Sequence, residues 1–230
     1  MKKLLSFFRY FTIAERLLWF CSWVLILVAF VVFDRENYVN LISSLVGTVS
    51  LIFCAKGNPA GPFLMVLFCL FYGIISLTYA YYGETITYLG MSLPMAVVAL
   101  VSWLRNPYKG NKAEVTVNDV SKKDILVILL LSVGVTVLFY FILKALYTAN
   151  LLLSTFSVTT SFIAAALSYK RSPYYAIAYA ANDIVLIGLW ALATLSDISY
   201  LSVTLCFSLF LVHDLYGYYN WTKMKKRQSS

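Results

Sequence analysis

Eight apolar runs fill most of this chain, at about 17–33, 37–55, 60–82, 86–104, 124–146, 150–169, 173–195 and 198–221. A bilayer core about 30 Å thick takes about 20 mostly apolar residues per helix. Lipid offers no partner to backbone amides, so each run that crosses it must bond internally as a helix. The breaks carry chemistry that ends helices or meets water: DREN (34–37), KGNP (56–59), GE (83–84), the long 105–124 stretch, TAN (148–150), KRSP (170–173) and SD (196–197). With 61% hydrophobic and 12% charged residues, the chain has too little polar surface to wet a soluble fold, which carries about 25% charge. The fold class expected is an all-α polytopic membrane protein with eight transmembrane helices. The first run, with no soluble domain after it, reads as a span and not a cleaved signal peptide.

The net charge is +8, but nucleic acid is not the expected partner, because the basic residues flank apolar runs and leave no folded basic face. Eight spans put 16 Lys and Arg residues on one side, the last of them Lys223, Lys225, Lys226 and Arg227, and only Arg35 and Lys144 on the other. By the positive-inside rule the basic side, with both termini, is cytoplasmic, and the protein is placed in the cell membrane. Lys2, Lys3, Arg9 and Arg16 belong to that side, and Asp34, Glu36, Glu84 and Asp197 to the outer one. Trp19, Tyr82, Tyr88, Trp103 and Trp221 stand near span ends, at headgroup depth. Cys21, Cys54, Cys69 and Cys206 lie inside apolar runs without zinc or disulfide spacing. No metal or cofactor is expected.

Gly47–Ser50 (GTVS) echoes Val158–Ser161 (VTTS) at an offset of 111, which also sets Pro62 on Pro173. The chain then divides into an N-terminal segment with one extra helix (1–36), a three-helix unit (37–104), a loop and linker helix (105–149), a second three-helix unit (150–221) and a basic tail (222–230). Four spans separate the units, so they run parallel, an arrangement in which transporters hold substrate between the halves.

Ionisable groups within a bilayer cost about 2.5–3.5 kcal/mol each on insertion scales, so they call for explanation. Asp183, His213 and Asp214 sit at similar depth in spans 7 and 8 and are expected to reach one cavity. Tyr175, Tyr179, Asp183 and Trp190 share a face of span 7, with Asn182 beside it. Carboxylates, an amide, an imidazole and aromatic rings suit a flat-ringed solute with several hydroxyls. The competing reading is that these groups only bond one another across helices. In the first unit Tyr72, Tyr79, Tyr81, Tyr82, Glu84 and Tyr88 line a vestibule or form an interfacial belt.

The stretches SPYYAIAYAANDIVLIGLW (172–190), FLVHDLYGYYNW (210–221) and YYGETITYLGMSLPMAVVALVSWLRNP (81–107) resemble the Pnu-type vitamin transporters, whose best-known members carry nicotinamide riboside. The resemblance implies a 3+1+3 core related to the sugar-transporting SWEET proteins, plus the extra N-terminal helix. It implies facilitated diffusion of a vitamin or nucleoside cargo, trapped by a cytoplasmic kinase, and a homo-oligomer (trimer). Asn182 is similar to the family's cargo-binding asparagine. Tyr175 and Tyr179 stand where relatives often have tryptophan, and His213 where they have asparagine. A proton-coupled vitamin transporter, a passive channel and a receptor are the alternatives. An enzyme is not expected, for there is no HExxH, GxSxG or GxxxxGK[ST].

Overall fold

The computed structural model describes residues 10–78 and 82–230; of the residues named above, Lys2, Lys3, Arg9, Tyr79 and Tyr81 lie outside them. The helices are α1 (Ile13–Phe33), α2 (Tyr38–Ala55), α3 (Ala60–Thr78), α4 (Tyr82–Arg105), α5 (Lys122–Ala145), α6 (Leu151–Tyr169), α7 (Tyr174–Thr194) and α8 (Leu201–Ser229). Among the described residues seven of these are long and apolar enough to cross a membrane, and α3 contributes the shorter apolar stretch Ala60–Ile74. α4 is interrupted after its first five residues by a π-helical turn at Thr87–Ser92, and α8 is preceded by a 3-10 turn at Ile198–Tyr200.

Where the sequence suggested only a loop after α4, a small antiparallel hairpin forms, β1 (Pro107–Tyr108) and β2 (Asn111–Val115). It is local polar structure at the bundle end, held because the fully buried Val115 donates its N–H to Gly57 O at 2.9 Å.

Helix starts and stops follow local chemistry. α1 begins at a capping box in which Thr12 Oγ1 accepts from Glu15 N and Glu15 Oε2 accepts from Thr12 N. α5 begins the same way with Ser121 and Asp124. The reciprocal bonds satisfy donors that a helix start otherwise leaves bare. After α2, Gly57 N–H bonds Cys54 O (2.9 Å) and Asn58 N–H bonds Phe53 O (3.0 Å). After α6, Arg171 N–H bonds Ser168 O (2.9 Å) and Ser172 N–H bonds Leu167 O (3.1 Å). Both are Schellman closures, with Gly57 (φ 65) and Arg171 (φ 57) left-handed. The KGNP and KRSP turns are therefore structural equivalents at an offset of 114, pairing Pro59 with Pro173. The expected pairing of Pro62 with Pro173 is out of register by three residues.

α2 packs on α3, α3 on α4, α6 on α7 and α7 on α8, while the two sets meet through α2 against α8 and α4 against α6. α1 lies against α2 and α8; α5 lies against α6. At the end carrying Lys56, Lys170 and Arg171, here termed the basic end, Trp221 Nε1 of α8 donates to Cys54 O of α2 (2.8 Å). Trp103 Nε1 of α4 donates to Ser168 O of α6 (2.9 Å). The two buried indoles lie 5.2 Å apart and form one apolar cluster with Tyr175, Ala176 and Val115.

Candidate functional site

Toward the opposite end the bundle opens into a cavity of about 510 Å³, within the range of small-molecule sites, about 300–1,000 Å³. One wall is the start of α4, with Glu84, Thr87 and Tyr88; the other is α6 and α7, with Ser157, Asn182 and Trp190. The α5–α6 loop and Tyr200 close its rim. The cavity thus lies between the two three-helix sets.

Asn182 is buried, and its Oδ1 accepts a hydrogen bond from Thr160 Oγ1 at 2.8 Å. That bond orients the amide and leaves its N–H donors for the acceptors of a solute. Trp190, two turns along α7, packs against Tyr200 with ring centroids 5.5 Å apart and the planes tilted by 40°. Tyr200 is set by the 3-10 turn, whose cap Asp197 accepts from Ser199 N at 2.9 Å. The same backbone N–H holds the Asp197 carboxyl below its ordinary range.

Across the cavity, Glu84 Oε2 accepts from Tyr72 Oη at 3.1 Å. Tyr72 does not line the cavity; it braces the residue that does, and it packs on Tyr88 (4.5 Å) and Phe68 (5.6 Å). The preceding Gly83 allows this wall to come close: a Cβ there would sit 2.5 Å from Thr148 Oγ1. The π turn follows at once, a deformation that often marks functional segments.

Tyr82, also singled out in the sequence, lines the cavity as well, whereas Tyr175, Tyr179, Asp183, His213 and Asp214 do not. Tyr175 belongs to the cluster at the basic end, and Tyr179 packs on it edge to face at 6.2 Å. Asp183 and Asp214 are buried close to one another between α7 and α8, and Asp183 Oδ2 has no hydrogen-bond partner among the described residues. His213 turns away to α1, where its Nε2 meets Ser22 Oγ at 2.9 Å. The expectation of one cavity holding Asp183, His213 and Asp214 therefore resolves into two separate interhelical contacts. Sequence reasoning passed over Thr160, Ser154, Ser157 and Ser161. The last three recur at helical spacing on α6 and line the cavity, so period was the signal that could have found them.

The family model described as nicotinamide mononucleotide transporter matches residues 37–223. The nicotinamide riboside transporter PnuC of Neisseria mucosa is 26% identical over 202 residues, covering 86% of this chain and 77% of that one. Its Haemophilus influenzae counterpart is 24% identical over 193 residues, 84% of this chain and 82% of that one. A crystal structure of the vitamin B3 transporter PnuC superposes with a TM-score of 0.80 at 24% identity, covering 95% of this chain and 94% of its own. That coverage exceeds what residues 37–223 alone could supply, so the likeness in fold extends beyond them.

Proposed function

The chain belongs to the nicotinamide mononucleotide transporter family, and from that premise we propose that it carries nicotinamide riboside across the cell membrane by facilitated diffusion. The observation that carries this reading is the cavity, set between the two helix sets and lying away from the Trp103–Trp221 cluster of the basic end. Its described lining contains no lysine or arginine. A mononucleotide would bring a phosphate dianion with no cation to receive it, at a steep desolvation cost. A riboside brings hydroxyls and a flat ring, which Asn182, the α6 serines and Trp190 suit. The relatives in Neisseria mucosa and Haemophilus influenzae are nicotinamide riboside transporters, which supports the same choice.

The finer layout is eight spans, a 3+1+3 core related to the SWEET proteins with one further helix before it, and the basic end in the cytoplasm. The 16-to-2 division of basic residues supports that orientation. Cargo then enters from the acidic side, and a cytoplasmic kinase retains it as the phosphate. Asn182 and Trp190 are the cargo-binding residues.

Calorimetry on purified protein with nicotinamide riboside, nicotinamide mononucleotide, thiamine, riboflavin and uridine tests the cargo. The riboside is expected to bind at least tenfold tighter than the mononucleotide. Uptake into ATP-free liposomes tests the mechanism. A strict need for an imposed proton gradient would replace facilitation with coupling.

A further inference from the structure

We propose that Glu84 selects cargo by charge, making this a site for heteroaromatic cations over neutral analogues of the same shape. The inference rests on the cavity being the cargo site, as argued above.

Among the described residues lining the cavity, Glu84 is the one charged side chain; the remaining polar groups are hydroxyls and amides. The formal charge on the described cavity wall is therefore negative, and low-dielectric surroundings strengthen its pull on a cation. The carboxylate is also positioned. Tyr72 fixes one oxygen, Tyr72 and Tyr88 are packed together behind and beside it, and Gly83 lets the wall approach the α5–α6 loop. A braced carboxylate keeps its direction while solutes enter, which a freely rotating surface glutamate does not. Tyr88 and Trp190 add aromatic faces on opposite walls, and such faces attract cations.

Nicotinamide riboside is an N-glycosylated pyridinium with a fixed positive charge. Its 1,4-dihydro form has nearly the same shape, the same ribose and the same carboxamide, and is neutral. Thiamine, with its thiazolium, shares the charge but not the sugar. Electrostatic selection by Glu84 orders these by charge first, whereas shape and hydrogen bonding alone would leave the two ribosides nearly equal.

The test compares Kd for nicotinamide riboside and its dihydro form on purified wild type and E84Q. Wild type is expected to prefer the cation by about tenfold or more, and E84Q to bring the ratio to within about threefold. As a control, Asp34→Asn removes an acid outside the cavity and should leave the ratio unchanged. If E84Q does not fold, Glu84→Asp takes its place, with a preference smaller than wild type because the charge is drawn back. A wild type that binds both ribosides equally, or an E84Q that keeps the full preference, overturns the charge selection while leaving riboside transport standing. A wild type that binds neither overturns both.

Discussion

At the residue scale, function and packing divide along α7. Asn182 faces the cavity and its neighbour Asp183 faces α8. One residue of helical rotation thus separates a cavity-facing amide from a carboxyl buried near Asp214 of α8. Asn182→Ala removes the oriented amide and is expected to weaken riboside binding about tenfold, with melting temperature nearly unchanged. Trp190→Ala should cost at least as much in binding, because a stacking face is lost. Unchanged Kd in both variants, measured by calorimetry, would remove α7 from the proposed site. The sequence placed Trp190 on a face of span 7 and Asn182 beside that face, and that much was legible. It could not tell which buried polar groups face a solute, because His213 and Ser22 lie 191 positions apart and periodicity says nothing about distant partners.

At the element scale, close helix approach is set by a few glycines. A Cβ on Gly61 of α3 would lie 2.6 Å from the Cys54 backbone nitrogen of α2, where nothing flexible can yield. Gly61→Ala is expected to destabilise by about 1–3 kcal/mol. Gly134→Ala, with nothing within 4 Å of the added Cβ, should be neutral or stabilising by up to about 1 kcal/mol. Thermal unfolding in detergent distinguishes the two. The turn after α5 ends in Tyr147, left-handed at φ 53 and 94% exposed. Tyr147→Gly should raise stability by about 1 kcal/mol by relieving that backbone, and any loss of uptake in it would then report the ring at the rim. Arg171 holds the same conformation for a reason: its guanidinium donates to Ser102 Oγ (2.8 Å) and Thr116 O (3.1 Å), joining α4 and the hairpin segment to α6. α8 runs on to Ser229, through most of the segment expected as a basic tail, but most helix ends in the sequence came out within a few residues, since caps and prolines act locally. The hairpin did not, because its short strands exist only through Gly57 and the end of α8.

For the whole molecule, α1 and α5 carry the same devices. Each starts in a capping box whose acid reaches the lysine of the turn that follows the next helix: Glu15 to Lys56 at 3.0 Å, Asp124 to Lys170 at 2.6 Å. The surroundings differ, with side-chain exposures of 1% for Glu15 and 15% for Lys56 against 30% and 33% for the second pair. Lys56→Ala strands a buried carboxylate and is expected to cost about 3–5 kcal/mol. Lys170→Ala exposes a pair already near water and should cost at most about 1 kcal/mol. Melting curves of the two variants side by side check the asymmetry. The helix that reads in sequence as an addition to the core is, in its cap and ion pair, the counterpart of the linker.

The crossed tryptophans make the two helix sets depend on one another. Trp103 of α4 donates to the end of α6 and Trp221 of α8 to the end of α2, so neither set is finished by its own residues. Separated from its partner, each would leave a carbonyl at the basic end, Cys54 O or Ser168 O, without its indole donor.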